Sequence, residues 1–427
     1  MKITHTKLAI GLSTGIAIVA GIAQSQSDNP TSSLSNQQAS SQRHSRAPRS
    51  RPSNPFPIVP KSPTDFGDPI AGLTAAQLAD FAAGLEEFQS MDTPESGLGP
   101  IFNNNSCVAC HSAPIPGGAS TITVTRFGGF ANGVFDSLVQ LGGSLLQSKA
   151  IDPAVQEVVP SQANVTAQRL TTPLFGAGLI EAIPDSEILQ GATANRADGV
   201  SGRASIVQDI ATGETHVGRF GWKAQHALLL SFAGDAYLNE MGITNRVFPQ
   251  ENAPNGNTAL LAQYDLIADP EDATDPTTGK ADIDHFTDFM RMLAPPPVMA
   301  LTSPAKSGAD VFVQVGCHAC HQPTMVTGAS TIAALDHKVV PLFSDLLLHD
   351  MGSLADGIAQ GTATSREMKT APLWGLRART AFLHDGRAAT VDSAIRQHDG
   401  EAARARERYV RLSPASQTQL LQFLGLI

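Results

Sequence analysis

Two short segments, Cys107–His111 (CVACH) and Cys317–His321 (CHACH), contain all four cysteines of this 427-residue chain. In each segment two thiols are separated by two residues, and a histidine follows directly. Thiols at this spacing can reach the two vinyl groups of one haem, and the histidine then lies under the iron as its proximal ligand. The sequence therefore predicts two covalently attached c-type haems, held by Cys107, Cys110 and His111 and by Cys317, Cys320 and His321.

Three other uses of the cysteines compete with haem attachment. An exported chain can carry two disulfides, a Cys-x-x-Cys pair can be redox-active, and the two pairs together can build a zinc site. A single match to the motif would be moderate evidence for haem. Two matches that use every cysteine, each followed by histidine, favour haem over these alternatives.

The amino terminus is typical of an export signal. Lys2 and Lys7 precede or flank the start of an uncharged stretch from Leu8 to Ala23, and small residues follow it. We expect a signal peptide at residues 1–25 and a periplasmic protein. An uncleaved anchor is the alternative, although a membrane span needs about 20 apolar residues. We expect no stable membrane span elsewhere in the chain.

The remaining sequence divides by composition. Residues 26–62 are rich in Ser, Gln, Pro and Arg, which predicts a disordered linker. The Pro-rich segment Ala294–Pro297 separates an N-terminal haem domain, expected at residues 63–297, from a C-terminal cytochrome c domain, expected at 298–427. The expected fold class is mainly α, with two cytochrome c-like haem domains, long irregular loops and a little β.

Local patterns predict several elements of this fold. An apolar stripe formed by Leu78, Phe81, Leu85 and Phe88 predicts a helix that begins at Leu73-Thr74 and runs to Met91. Further helices are expected at 224–241 and after Ser413-Pro414, where serine can cap the helix and proline suits its first position. The β-branched run 121–125 predicts a strand.

The chain also contains an internal repeat. Thr172–Gly176 (TPLFG) recurs as Ala371–Gly375 (APLWG), and each copy lies downstream of one Cys-x-x-Cys-His motif. Chance similarity over five residues is the alternative. The matching order of motif and repeat favours two diverged copies of one cytochrome-like unit.

The charge of the chain excludes one class of partner. The whole chain has 29 Lys and Arg against 39 Asp and Glu, a net charge of −10, and residues 62–427 carry a net charge of −16. Nucleic-acid binding needs basic patches, so we expect no nucleic-acid partner. An acidic body favours a cationic partner or a small-molecule substrate. The partners that we expect are a redox protein or a small-molecule electron donor, and a small oxidant as substrate.

Five segments resemble the bacterial di-haem oxidoreductases, sometimes labelled thiol oxidoreductases, which are relatives of the di-haem cytochrome c peroxidases. The segments lie at 97–111, 172–188, 218–248, 343–352 and 371–402. The resemblance implies an electron-transfer haem in the C-terminal domain, fed by a donor, and an N-terminal haem where chemistry occurs. It leaves the substrate open, and also a calcium ion between the domains. The label thiol oxidoreductase has no support here, because haem uses every cysteine.

The second axial ligand of the C-terminal haem is predicted to be His398. Thr390 can cap a helix on which Val391, Ile395 and His398 share one face. In the related peroxidases a methionine ligand occupies the corresponding offset. Met351 is the rival ligand, and His384 is expected to hydrogen-bond near the haem rather than bind iron.

The N-terminal haem is predicted to have an open iron. Between His111 and His216 there is no other histidine and no methionine, whereas the related peroxidases place a distal histidine shortly after the motif. Ligation by His216 or His226 is the alternative. An open haem needs a nearby acid/base group, for which Glu181 is the candidate, with Arg126 as charge stabiliser.

Two functional hypotheses follow. The first is an oxidoreductase that takes up electrons at the C-terminal haem and passes them to the N-terminal haem, where peroxide, O2 or another small oxidant reacts. Trp222 and Trp374 could relay electrons, although core packing is the better expectation for either one. The second is a non-catalytic electron carrier with two six-coordinate irons, serving partners or metal uptake.

Covalent attachment of both haems is directly testable. After cytochrome c maturation the intact mass should include two haems, and the denatured protein should still stain for haem, because thioether bonds survive denaturation. Recovery of four free thiols in the matured protein would contradict haem attachment.

Overall fold

The computed structural model describes residues 64–194, 196–267 and 272–427. Of these residues 36% are helical and 15% are in strands or bridges, in agreement with the expected mainly α class with some β. The predicted signal peptide and linker lie outside the described residues. The described α-helices are α1 (Ala75–Gln89), α2 (Cys107–Cys110), α3 (Ala177–Glu181), α4 (Asp185–Thr193), α5 (Leu229–Met241), α6 (Thr258–Tyr264), α7 (Asp282–Met292), α8 (Ser303–Val315), α9 (Val391–Arg396), α10 (Ala403–Val410) and α11 (Pro414–Leu424).

The described strands are short and antiparallel. They are β1 (Ile101–Phe102), β2 (Thr123–Ala131), β3 (Val134–Asp136), β4 (Leu145–Leu146), β5 (Lys149–Ala150), β6 (Val165–Leu170), β7 (Ser205–Gln208), β8 (Thr215–Gly218), β9 (Met325–Val326), β10 (Val339–Val340), β11 (Leu348–Asp350) and β12 (Glu367–Lys369). The largest sheet is built on β2, which pairs with β3, β4 and β6.

Two helix pairs repeat one arrangement around the two cysteine motifs. Helix α1 packs on α7, and α8 packs on α11. Each pair crosses at a glycine: a Cβ on Gly84 would lie 2.4 Å from the backbone oxygen of His285, and one on Gly308 would lie 2.0 Å from that of Gln419. Only glycine permits backbones to approach so closely.

The predicted helix starts agree with the structure. The side chain of Thr74 caps α1 and forms a capping box with Gln77, and Ser413 caps α11. Phe81 and Phe88 are buried against α7, as predicted, but Leu78 is 43% exposed, so the apolar stripe of α1 is narrower than predicted.

The helix predicted at 224–241 begins five residues late, at Leu229. The backbone N–H groups of Arg219 and Phe220 both donate to the carbonyl oxygen of His226. These hydrogen bonds close a turn between Arg219 and His226, in which Ala224 has a positive φ of 49°. The helix therefore begins only after this turn. Apolar periodicity did not reveal this local turn.

The core joins the two halves of the sequence. The larger hydrophobic cluster contains Ile283 and Phe289 from α7 together with Leu342, Leu346 and Trp374 from beyond residue 297. A smaller cluster lies between α8, α10 and α11. A buried ion pair adds a polar link, since the ammonium of Lys223 lies 2.8 Å from the carboxylate of Asp356.

Membrane crossing was assessed from helix length and apolarity. None of the helices in the part of the chain that the structure describes is both long and apolar enough to cross a membrane.

Candidate functional site

The first cysteine motif forms a single helical turn. Cys107–Cys110 is helix α2, which Ser106 caps through its hydroxyl, and His111 follows as the residue that ends the turn. Nδ1 of His111 lies 3.1 Å from the carbonyl oxygen of Gly118. Because a carbonyl oxygen only accepts, Nδ1 must donate, and Nε2 is left with the lone pair that binds a metal.

The second motif repeats this geometry. Cys317–Ala319 is a single 3₁₀ turn, and Nδ1 of His321 lies 3.0 Å from the carbonyl oxygen of Phe343. A ring nitrogen fixed by a backbone carbonyl is the usual support of a metal-binding histidine. The sequence did not reveal Gly118 or Phe343 as the supporting residues.

Each motif lies in the wall of its own cavity. The C-terminal cavity, lined by Cys317, Cys320 and His321, has about 1280 Å³ of space free of protein atoms, part of it open to solvent. The N-terminal cavity, lined by Cys107, Cys110 and His111, has about 1180 Å³. Because the two cysteine pairs line different cavities, a zinc site shared by both pairs is not formed.

Both cavities fit a haem by the chemistry of their donors. Each combines two cysteine sulfurs, a histidine presented with Nε2 as acceptor, and walls made mostly of apolar side chains. The four cysteines are free thiols, without a disulfide between them. Nε of Arg126 in the N-terminal cavity is buried and has no partner among the described residues, as expected where a ligand is to supply an acceptor.

A second histidine faces His321 across the C-terminal cavity. Val391, Ile395 and His398 all line this cavity, as their spacing predicted. The ring centroids of His321 and His398 are 6.4 Å apart. At this separation His321 and His398 would both be able to hold the iron of a haem bound between them.

His398 is held in place by its neighbours. Its Nδ1 lies 2.8 Å from the carbonyl oxygen of Ala394, so Nε2 again carries the lone pair. Burial lowers the pKa of His398, which keeps the ring neutral. Met351 and His384 line the same cavity. The ring that lies opposite His321 is that of His398.

The N-terminal cavity has a different opposite wall. His111 is the one histidine among its described lining residues, whereas Met241 and Met290 are both present. The alternative ligands His216 and His226 do not line it: His216 pairs with Asp185 and Glu214, and His226 pairs with Asp235. The two methionines lie beyond the stretch on which the sequence prediction rested.

Polar side chains collect on this wall of the N-terminal cavity. Asp235 and Glu240 of α5 and Arg126 of β2 all line it. Nδ2 of Asn103 donates to Glu240 at 2.8 Å. The pKa of Glu240 is raised, chiefly by burial and against the pull of Arg126. Burial also opposes the charge on Asp235, but His226 outweighs it and lowers the pKa of Asp235.

Glu181, the predicted acid/base group, is not among the described residues that line either cavity. Its carboxylate accepts from the backbone N–H of Leu229 at 2.8 Å, at the start of α5. It also lies 2.6 Å from Nε of Arg291 on α7. The structure therefore places Glu181 where it joins three helices, whereas Arg126 lines the N-terminal cavity.

The two tryptophans lie in different environments. Trp222 lines both cavities, and its Nε1 donates to the carbonyl oxygen of Leu170 at 2.9 Å. Its ring meets that of His384 edge-on, with centroids 6.3 Å apart. Trp374 is 7% exposed and belongs to the larger core cluster, so it packs rather than bridges.

The sequence analysis did not single out the acidic residues of α5. Asp235 and Glu240 lie in a helix rich in apolar residues, within the segment 218–248 that carries the family resemblance. Two carboxylates in such a helix are the signal that could have identified them.

A buried ionic cluster adjoins the second cysteine motif. His349 is 2% exposed, with Nε2 3.0 Å from Asp345 and Nδ1 2.8 Å from Glu401. Arg196 reaches the same Asp345 and also donates to the carbonyl oxygen of Ala319, inside the motif, at 2.7 Å. Burial alone would lower the pKa of His349. Its contacts with Asp345, Cys320 and Glu401, in decreasing order of effect, outweigh burial and raise the pKa.

Comparisons with known proteins agree with two haem cavities in one chain. A family model described as "Di-haem oxidoreductase, putative peroxidase" matches residues 150–427. No curated protein matches the sequence. The match covers well over half of the chain, and the chain belongs to this family of di-haem oxidoreductases. Membership in the family implies two haems.

Solved structures that are similar to this chain include three of low sequence identity. Kuenenia stuttgartiensis hydrazine synthase is 14% identical, with a TM-score of 0.39, over 84% of this chain and 89% of that one. A MauG-like protein associated with microbial copper homeostasis is 12% identical, with a TM-score of 0.39, over 86% and 94%. A variant of the diheme peroxidase BthA from Burkholderia thailandensis is 13% identical, with a TM-score of 0.37, over 82% and 85%.

The ionic cluster predicts a pH-dependent loss on replacement of His349. His349→Gln should lower the free energy of unfolding by about 3 to 5 kcal/mol near pH 6, because a buried ion pair loses one partner. The raised folded-state pKa makes this stabilisation complete below the unfolded pKa of about 6.5. It declines as the pH rises toward the folded-state value, so the difference between variant and wild type should shrink at pH 9.

Urea unfolding followed by circular dichroism at both pH values measures this difference. His337→Gln is the control, because His337 is exposed and pairs with the neighbouring Asp336. A difference between His349→Gln and wild type that stays constant or grows with pH would contradict a charged His349.

Proposed function

We propose that the protein is an exported, periplasmic c-type di-haem oxidoreductase that reduces a small oxidant such as peroxide or O2. The observation that carries this proposal is the asymmetry of the two cavities. The C-terminal cavity places a second imidazole opposite His321. The N-terminal cavity instead presents Asp235, Glu240 and Arg126. The haems would supply redox chemistry, with electron uptake at the C-terminal cavity and reaction of the oxidant at the N-terminal one.

The residues proposed to hold the two haems fall into matching sets. Cys107 and Cys110 would form thioethers with one haem, and Cys317 and Cys320 with the other. His111 and His321 would be the proximal ligands, each oriented by a backbone carbonyl. We assign His398 as the second ligand in the C-terminal cavity, in preference to Met351, because its ring already faces that of His321.

Proton transfer in the N-terminal cavity is assigned to Glu240 rather than to Glu181. Two carboxylates whose pKa values are shifted in opposite directions suit an acid/base role for one of them. Asp235 stays ionised beside His226, whereas burial favours the protonated form of Glu240. Glu240 can thus give and take a proton at its carboxyl oxygen. Arg126, with its unpartnered Nε, can stabilise negative charge that develops on the oxidant.

Transfer between the cavities is assigned to Trp222. Its indole belongs to both walls, and its hydrogen bond to Leu170 fixes its orientation. The alternative function, a carrier with two six-coordinate irons, would leave the polar groups of the N-terminal cavity without a role. Family membership also favours an oxidoreductase.

The coordination asymmetry predicts distinct spectra for the two sites. The oxidised protein should contain one low-spin and one high-spin haem, and cyanide should change only the high-spin signal. His398→Ala should convert the low-spin signal to high-spin, with both haems still attached, as read by optical and electron paramagnetic resonance spectra.

Four variants, compared with the wild type, distinguish the other outcomes. If Met351→Ala abolishes the low-spin signal and His398→Ala does not, Met351 is the ligand. A wild type that is low-spin at both sites favours the carrier function. In that case Met241→Leu and Met290→Leu would show which methionine is the second ligand of the N-terminal haem.

The acid/base assignment predicts opposite effects at two glutamates. Glu240→Gln should lower the turnover of hydrogen peroxide by about 10²–10⁴-fold, the usual contribution of general acid–base catalysis, with both haem spectra retained. Glu181→Gln should lower the thermal unfolding midpoint but leave turnover per holoprotein near wild type, because it joins α3, α5 and α7. The reverse pattern would restore Glu181 as the acid/base group.

A further inference from the structure

Two cationic side chains reach the C-terminal cavity without a carboxylate of their own. Lys369 at the end of β12 and Arg379 both line it. Nε and Nη2 of Arg379 are buried, and no described group accepts from them. The ammonium of Lys369 has a distant contact with the carbonyl oxygen of Thr370, at 3.5 Å.

Electrostatics confirms that these charges lack compensation within the described chain. Burial lowers the pKa of Arg379 to about 10, with no acidic group acting against it. Burial likewise lowers the pKa of Lys369 to about 8, opposed by Asp345. That carboxylate is already bound by Arg196 and His349, so it cannot be a dedicated partner.

The cations of the N-terminal cavity are placed differently. Arg169 forms a buried ion pair with Asp356, and Arg126 lies close enough to Asp235 and Glu240 to oppose the effect of burial on the pKa of each. The described residues that line the C-terminal cavity include no aspartate or glutamate, whereas Asp235 and Glu240 line the N-terminal one. Burying an unpaired charge is strongly unfavourable unless an opposite charge is supplied, so this cavity suits a ligand with acidic groups.

We propose that Lys369 and Arg379 bind the two propionate carboxylates of the haem held at Cys317–His321. The proposal rests on the proposed function, in which this cavity holds a haem. Two carboxylates would neutralise the two cations. The guanidinium of Arg379 presents donors that suit a planar carboxylate, whereas Lys369 offers a point charge.

The two binding residues stand on separate elements, which makes them separable by mutation. The backbone N–H of Lys369 donates to the carbonyl oxygen of Trp222 at 2.9 Å, so Lys369 lies beside the wall shared by the two cavities. Arg379 follows the 3₁₀ turn Leu376–Ala378, which continues the second copy of the internal repeat. The first copy is followed by Ala177–Glu181, which has no arginine.

The test uses the matured holoprotein and the variants Arg379→Gln, Lys369→Gln and their double mutant. Arg379→Lys retains the charge. Arg387→Gln is the matched control, because Arg387 is partly exposed, pairs with Asp385 and does not line the cavity. Haem content by intact mass is measured first, then the midpoint potential of the low-spin haem, and then the propionate bending band in resonance Raman spectra.

Each single Gln variant should lower the midpoint potential, and the double mutant should lower it further, because uncompensated carboxylates favour the oxidised iron. The propionate band should shift in both single variants and stay in place in Arg387→Gln. Arg379→Lys should recover most of the potential. The wild-type potential should not respond to added phosphate.

Three results would overturn the assignment. The first is an unchanged propionate band in the double mutant with both haems attached, since a distant charge can change the potential but not this band. The second is equal loss in Arg379→Lys and Arg379→Gln. The third is a wild-type potential that titrates with phosphate, which would identify a small anion as the ligand. Absence of haem from the matured wild type would instead refute the proposed function.

Discussion

Each cysteine motif presents its histidine through one hydrogen bond, from Nδ1 to a backbone carbonyl oxygen, and the two cavities are arranged around the rings held in this way. The carbonyl of Gly118 fixes His111, and that of Phe343 fixes His321. Both acceptors belong to loops that follow the motifs, so the loops must be placed before the rings can be oriented. The helix pairs lie against these loops: a Cβ on Gly117 would meet Phe289 of α7, and the ring of Phe343 packs on Phe312 of α8 and Phe423 of α11.

The same frame then serves two different purposes, because the elements opposite the proximal histidines differ. In the C-terminal half, the short helix α9 ends just before His398, and the carbonyl of Ala394 orients that ring toward His321. In the N-terminal half, α5 occupies the facing wall and brings carboxylates instead. The two cysteine motifs thus present their histidines in the same way, while the walls that face those histidines differ.

Sequence reasoning succeeded where the controlling interactions are local. The caps at Thr74, Thr390 and Ser413 and the stripe Val391, Ile395 and His398 each involve residues a few positions apart, so spacing was enough. It missed contacts between distant residues: Asn103 meets Glu240 across 137 positions, and His349 meets Glu401 across 52. Glu181 illustrates the reason, since proximity to the repeat suggested a cavity position, whereas its actual partners, Leu229 and Arg291, come from α5 and α7.

Charged side chains lie on both sides of the wall that the two cavities share at Trp222. The backbone N–H of Lys369 donates to the carbonyl oxygen of Trp222. Lys223, which follows Trp222 in the sequence, forms a buried ion pair with Asp356. Lys369 and Arg379 stand on the C-terminal side of the wall without carboxylates, while on the N-terminal side the carboxylates of α5 accompany Arg126 and Arg169. If acidic groups of a bound haem compensate the first set, the remaining field across Trp222 is set by Asp235, Glu240 and Arg126. Protonation at Glu240 would then alter both the local proton supply and the electrostatic balance across the wall, which couples proton and electron delivery within one short stretch of structure.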